Sequence, residues 1–398
     1  MIRKKYIIII LISIIFIILV SNLYNMYRIS HAKINVVLKK DLKLEFRDTK
    51  KVSDFIESIN GKIINDYTID STKVGRKEVK FKFINDENIK VEYKYKINVV
   101  DVTPPVVWLN NSYSVTVGTD STFVDNILCG DDSDSNPVCQ IDGDYDLTKE
   151  GVYPVTFKAT DKSGNITEKS FNLKVYKPVV NNNTNTARNV TKTYFEDVVA
   201  KYKNDKTKIG IDVSEWQGEI DFEKIKEAGV EFIIIRVGGT KGTEMDYFLD
   251  KQFKRNIENA NKYNIPVGIY FFTYSGSSKE AIKNAKWVLK QIKGYKIDLP
   301  IAFDWEDFSD FNNYNLSFYE LTKMADDFLK TVEREGYKGM LYGSKTYLEK
   351  IWLETKYDTW LAHYVDNTNY EGDYKIWQIC DDGIIDGING PVDINIMY

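Results

Sequence analysis

Histidine and cysteine are nearly absent from this 398-residue chain: His31 and His363 are the two histidines, and Cys129, Cys139 and Cys380 the three cysteines. A zinc centre that needs several nitrogen and sulfur ligands is hard to assemble from that stock. This argues against a metal-dependent amidase or deacetylase, and neither metal nor cofactor is expected. A Cys–His hydrolase would have to join Cys380 to His363, and no signature of a catalytic cysteine surrounds Cys380. An excess of charge of one sign is missing too, with Lys+Arg 54 against Asp+Glu 58 and a net charge of -4. A dedicated nucleic-acid binder needs a basic face, so no nucleic-acid partner is expected. What the chain does have is 43% hydrophobic and 14% aromatic residues, which excludes wholesale disorder. Its length implies two to four domains. Chemistry is therefore expected from carboxylates, and Tyr 27 and Trp 7 offer flat apolar surfaces to a ligand.

One hydrophobic run stands out. Tyr6–Val20 is interrupted only by Ser13, and Leu23, Tyr24, Met26 and Tyr27 extend it to roughly 20 residues, enough to span a bilayer. Arg3, Lys4 and Lys5 place the preceding end in the cytoplasm. Val20-Ser21-Asn22-Leu23 lacks the small-residue pattern of a cleavage site. Residues 1–28 are expected to be a cytoplasmic stub and single-pass signal anchor, with the rest of the chain outside the cell; secretion after cleavage is the alternative.

Residues 33–176 alternate over short segments separated by turn residues, as strands do. Two stretches repeat: Asp70-Ser71-Thr72-Lys73-Val74-Gly75 matches Asp146-Leu147-Thr148-Lys149-Glu150-Gly151, and each is followed by an alternating strand and a second that closes the unit. Two tandem β-sandwich modules are expected, at 33–102 and 103–176. The second resembles bacterial Ig-like surface domains in its Asp101-Val102-Thr103-Pro104-Pro105 entry and its Ala159-Thr160-Asp161-Lys162-Ser163-Gly164-Asn165 segment; the first does so more weakly. Cys129 and Cys139 bracket an acidic stretch, Gly130–Asn136. In an exported domain they are expected to form a local disulfide. The acidic stretch itself reads as a solvated loop, with Ca²⁺ binding as the alternative. Residues 177–207, with Asn181–Thr186, have linker composition and room for a short helix near Phe195–Tyr202.

From Ile209 the pattern becomes strand, loop, helix. Strands are expected at Ile209–Val213, Phe232–Val237, Val267–Thr273, Ile301–Trp305, Met340–Tyr342, Thr359–Ala362, Lys375–Ile379 and Val392–Ile394. Helices are expected at Asp221–Ala228, Asp246–Tyr263, Ser278–Ile292 and Ser317–Glu335. The fold class is α/β: a parallel (β/α)-barrel of eight strands with few helices over 208–398, preceded by the two all-β modules and the transmembrane helix. Barrel chemistry sits at the C-terminal strand ends, where Asp212, Asp304, Glu306 and Asp393 stand. Asp304 and Glu306, two apart on an extended strand, should point the same way, and barrel closure should bring Asp212 beside Asp393. Crowded carboxylates raise at least one pKa, as a general acid requires.

The motifs Gly210-Ile211-Asp212-Val213-Ser214-Glu215-Trp216-Gln217-Gly218, Phe303-Asp304-Trp305-Glu306, Trp360-Leu361-Ala362-His363-Tyr364, Trp377-Gln378 and Gly390-Pro391-Val392-Asp393-Ile394-Asn395 resemble glycoside hydrolase family 25 in order and spacing. The resemblance covers about 209–398. It implies a muramidase (lysozyme) that cuts the β-1,4 bond between N-acetylmuramic acid and N-acetylglucosamine in peptidoglycan. It assigns the acid to Glu306 and companion roles to Asp212, Asp304 and Asp393. It favours attack by the substrate's own acetamido oxygen over an aspartate nucleophile, and either route retains configuration. Some members carry Thr-Glu-Gly after the second strand where this chain has Arg236–Gly242. Trp305 is expected behind the site and Phe272 in the core. Tyr270, Tyr342, Trp360, Trp377 and Gln378 are the expected substrate contacts. Peptidoglycan glycan strands and the cytoplasmic membrane are the expected partners. The competing function is a peptidoglycan-binding surface protein with weak catalysis.

Overall fold

The computed structural model describes residues 2–178, 192–242 and 246–398, which pack as two units, Met1–Val102 and Thr103–Tyr398. In the first, Ile2–Ser30 is one helix, and its Leu11–Ser30 stretch is long and apolar enough to cross a membrane. A four-stranded sheet follows, in the order Lys43–Glu45, Lys90–Val100, Gly75–Asn85, Gly61–Ile63. Its central hairpin forms because Val79, Phe81 and Phe83 alternate with charged residues, as do Val91, Tyr95, Ile97 and Val99 across from them. Leu44, Val52, Phe55 and Ile69 complete that core.

The second unit opens with a sheet of the same plan, in the order Val138–Asp142, Gly151–Thr160, Ile166–Tyr176, Ser112–Thr116. In both sheets one edge strand runs parallel to the hairpin and the other antiparallel. The repeated sequence has one structural job in each copy. Asp70 accepts hydrogen bonds from the Thr72 N–H at 3.1 Å and hydroxyl at 2.6 Å, and Asp146 does the same with Thr148 at 2.9 and 2.6 Å. These Asx turns launch the long strands at Gly75 and Gly151. The acidic stretch departs from its solvated-loop expectation. Asp131 and Asp134 are buried because they serve as local caps: Asp131 accepts from the backbones of Ser133 and Asp134, and Asp134 from those of Asn136 and Lys162. Cys129 and Cys139 are joined, and Cys380 is a buried free thiol.

The Asn181–Thr186 stretch of the expected linker lies outside the described residues. Beyond it, Thr193–Tyr194 adds to the seventh barrel strand, and the helix Phe195–Tyr202 buries Phe195 and Val198 against the barrel.

Eight strands close the barrel: Lys208–Val213, Phe232–Lys241, Val267–Phe272, Ile301–Asp304, Gly339–Ser344, Asp358–Ala362, Ile376–Ile384 and Val392–Met397. The first seven are parallel. The eighth corrects the all-parallel expectation, since it pairs antiparallel with both the first and the seventh. Alternation divides each strand's side chains. Ile209, Ile211, Ile233, Ile235, Ile269, Phe271 and Phe303 face outward, into a core covered by the helices Phe222–Glu227, Phe253–Lys262, Ser278–Gln291 and Phe318–Arg334. Phe232, Ile234, Ala302, Met340, Tyr342, Trp360 and Ile376 fill the interior. The helix expected from Asp246 begins only at Phe253. Asp246–Leu249 is instead a strand folded back on Gly238–Lys241, with Tyr247 and Phe248 on opposite sides. Tyr247 stacks on Trp287 at 5.2 Å, which fixes this arm beside the barrel mouth.

Candidate active site

A cleft of about 510 Å³ opens at the mouth, and Asp212, Asp304, Glu306 and Asp393 all line it. The antiparallel eighth strand makes this possible. Asp393 lies at its start, and register pairs it directly with Asp212 at the end of the first strand. The fourth strand ends at Asp304, so the chain has left the sheet by Glu306, yet both carboxylates reach the cleft. Trp305 between them is fully buried on the other side, where its indole donates to the Ser275 carbonyl at 3.0 Å.

Amide donors orient the Asp212–Asp393 pair. Gln378 Oε1 accepts from the Tyr342 and Tyr364 hydroxyls, each at 3.0 Å, so its Nε2 is turned to Asp212 at 2.9 Å and Asp393 at 3.2 Å. Asn395 Oδ1 accepts from the Trp360 indole at 2.8 Å, so its Nδ2 donates to Asp212 at 2.7 Å. Burial pushes Asp212 upward while these amides pull the other way by stabilising its carboxylate. Burial, the Asp212 charge and the Asp212 hydrogen bond push Asp393 up to about 9. Both members of the pair are thus held toward the protonated form, and they titrate together.

Burial and the Asp212 charge raise Glu306 to about 7. Asp304 is raised well above the ordinary carboxylate range by burial and by Glu306 and Asp212, while the Arg236 guanidinium opposes the shift. Asp304 Oδ1 is buried with no hydrogen-bond partner among the described residues. Such an acceptor gains most from a donor brought by a ligand. Arg236 is itself anchored, by Asp250 at 2.7 Å and Glu215 at 3.2 Å.

Tyr270, Tyr342, Trp360 and Gln378 line the cleft. Trp377 does not: one residue before the inward Gln378, it faces outward, donates to the His363 carbonyl at 2.8 Å and packs edge-on against Tyr202. Phe272 departs from its core expectation, because it shares the inward parity of Tyr270 and emerges in the cleft wall. Sequence reasoning gave no role to Glu215, Trp216, Arg236, Thr240, Phe248 or Asn395. A signal for Arg236 exists: it is the one charge in Phe232–Gly239 and has the inward parity of Phe232 and Ile234. Trp216, 79% exposed at the rim, is a ready surface for a sugar ring. Cys380 is a poor nucleophile, since burial pushes its thiol up to about 11, and His363 Nδ1 engages Thr368 Oγ1 at 2.8 Å.

A mouth that combines a raised carboxylic acid, neighbouring carboxylates and aromatic walls is the layout of a glycoside hydrolase site. The sequence profile described as Glycosyl hydrolases family 25 matches residues 211–388. The chain is 31% identical over 194 residues to YegX of Escherichia coli K12, itself uncharacterized, across 47% of this chain and 68% of that protein. It is 25% identical over 189 residues to the autolytic lysozyme of Clostridium acetobutylicum, across 47% of this chain and 54% of the lysozyme. Among solved structures, the Streptococcus pneumoniae autolysin LytC in complex with a synthetic peptidoglycan ligand is similar at a TM-score of 0.43 and 24% identity, over 66% of this chain and 58% of that one. The chain belongs to glycosyl hydrolases family 25 and is a glycoside hydrolase.

Proposed function

We propose that the protein is an N-acetylmuramidase that cuts the β-1,4 bond between N-acetylmuramic acid and N-acetylglucosamine with retention of configuration. The observation that carries this reading is the Asp304–Glu306 pair, two raised carboxyls in one cleft, the first with an acceptor oxygen left unbonded. Both carboxyls are raised, so what the substrate brings decides which of them carries the proton. A substrate acetamido N–H donated to Asp304 Oδ1 favours its carboxylate form, which leaves the proton on Glu306. Glu306 then gives that proton to the glycosidic oxygen as the bond to the sugar's anomeric carbon breaks. The acetamido carbonyl oxygen closes on that carbon, and the Asp304 charge balances the cationic ring that results. Water attacks the same carbon, the ring reopens, and Glu306 takes the water's proton. Asp212 and Asp393, held together by the Gln378 amide, line the same cleft beside the reacting centre. Aromatic walls at Tyr270, Tyr342 and Trp360 hold the sugars.

The organisation that goes with this reading is an anchor at 1–28, Ig-like modules at 33–102 and 103–176, a linker at 177–207 and a catalytic barrel at 208–398. The apolar helix and its Arg3, Lys4 and Lys5 support tethering at the outer face of the cytoplasmic membrane. Mass spectrometry of fragments released from purified peptidoglycan tests the activity. Muramic acid at the reducing ends is expected. Glucosamine at the reducing ends, or no release, overturns the reading, and binding without release would favour the surface-binding alternative.

A further inference from the structure

The segment that follows Glu306 is held from two sides. On the barrel side, Trp305 packs against Phe308, Phe311 and Tyr314 at ring distances of 4.9, 6.1 and 5.2 Å. On the other side the partner is the β module of residues 103–176. Asn312, within the helical turn Phe308–Tyr314, uses its whole amide on that module. Its Oδ1 accepts from the Cys129 N–H at 3.2 Å, and its Nδ2 donates to the carbonyls of Asp125 at 2.8 Å and Ile127 at 2.9 Å. Next to it, the first two N–H groups of the helix Phe318–Arg334 donate to the carbonyls of Asp131 at 2.8 Å and Asp132 at 3.2 Å. A ring stack continues the contact: Phe308 lies on Tyr347 at 3.6 Å and Tyr347 against Trp108 of the module at 4.9 Å. The approach is so close that a Cβ on Gly130 would sit 2.5 Å from the Phe318 ring. Leu128 of the module belongs to the barrel's own apolar core.

A module serving only as a spacer has no need of such an arrangement. A side-chain amide spent on three backbone groups fixes both position and orientation, and it does so six residues from the acid. We propose that the module of residues 103–176 is a working part of the hydrolase, and that Asn312 is a positioning residue through which the module sets the placement of Glu306. This rests on the assignment of Glu306 as the acid. The Cys129–Cys139 disulfide belongs to the device, because it ties down the strand whose N–H meets Asn312. A loosened segment lets water reach Glu306, and a better solvated carboxyl gives up its proton at lower pH.

The test uses the full chain and compares Asn312→Ala with Asn313→Ala, an exposed neighbour on the same segment. The readouts are kcat, KM and the pH profile on peptidoglycan fragments. For Asn312→Ala, kcat is expected to fall by about 10- to 100-fold, the scale of a misplaced catalytic group. KM should stay near the wild-type value, and the alkaline limb of kcat/KM should move to lower pH. Asn313→Ala should match the wild type in all three. Wild-type kcat and limb in Asn312→Ala overturn the proposal. So does a fall in kcat with an unmoved limb, which is what mere loss of folded enzyme would give. If Asn312→Ala does not fold, Trp108→Ala loosens the same segment from the far end of the ring stack, and an unmoved limb there overturns the proposal equally. Failure of the acid assignment shows separately, as activity retained by Glu306→Gln.

Discussion

Glu306 and Asp304 differ in what they can exchange with a substrate. Glu306 is raised to about 7, so half of it still carries a proton at neutral pH, whereas Asp304 Oδ1 is buried with no hydrogen-bond partner among the described residues. Glu306→Gln keeps the shape and removes the transferable proton. Turnover of purified peptidoglycan should fall by at least about 10²-fold, the lower end for acid–base catalysis, while the circular dichroism spectrum and Tm stay put. Near-normal turnover would remove Glu306 from the mechanism. Asp393 makes a different prediction, about stability. Folded, it keeps its proton up to about 9; unfolded, it releases it at about 3.9. Between those values the folded chain binds more protons, so this group's contribution to stability declines as pH rises and is gone above about 9. Asp393→Asn removes the titration and keeps a donor facing Asp212. Its Tm should therefore drop less steeply than the wild type's from about pH 4 to 9. Parallel Tm curves over that range would show that Asp393 is not raised in the folded chain.

Single elements decide where those residues meet. The eight barrel strands were legible from their apolar alternation, but alternation reads the same in either direction. Direction comes from the partner, and the clue lies in the connection. Only residues 385–391 separate the seventh strand from the eighth, and a parallel crossover needs a dozen or more. The same short reach explains the missed arm at Asp246–Leu249, where Tyr247 and Phe248 face opposite ways next to a helix whose period seemed to extend through them. Trp377 and Phe272 were misplaced for a related reason: aromatic character marks a sugar contact only on inward parity, and the parity is fixed by register with neighbours, not by the residue. Gln378 was picked out by its motif, yet its task of orienting Asp212 and Asp393 depends on two hydroxyls from distant strands. The first strand carries its own test. Gly210 faces inward two residues before Asp212, and a Cβ there would lie 2.4 Å from the Phe232 carbonyl and 2.6 Å from its ring. Gly210→Ala should destabilise the barrel by about 1–3 kcal/mol, as overpacking does. Thermal unfolding would read this, and an unchanged Tm would mean that the first two strands separate without strain.

At the scale of the molecule, the two β modules share a plan but not a situation. Each has a hairpin launched by an Asx turn and flanked by one parallel and one antiparallel edge strand. The second is packed within the same unit as the barrel, whereas the first forms a unit with the apolar helix. The sequence repeat resides in the strands and turns, while the docking surface resides in Trp108, Leu128 and the loop between Cys129 and Cys139. The consequence is an asymmetry under deletion. Removing residues 33–102 while keeping the anchor should leave hydrolysis of soluble peptidoglycan fragments intact. With the chain tethered as proposed, it should lower wall cleavage in cells, because a domain about 28 Å across is lost from the tether. An unrelated rigid domain of similar size in its place should restore wall cleavage. Removing residues 103–176 should abolish hydrolysis of soluble fragments as well, and no spacer should restore it, because the segment behind Glu306 then loses its hold. Equal behaviour of the two deletions on soluble fragments would show that the docked module contributes length alone.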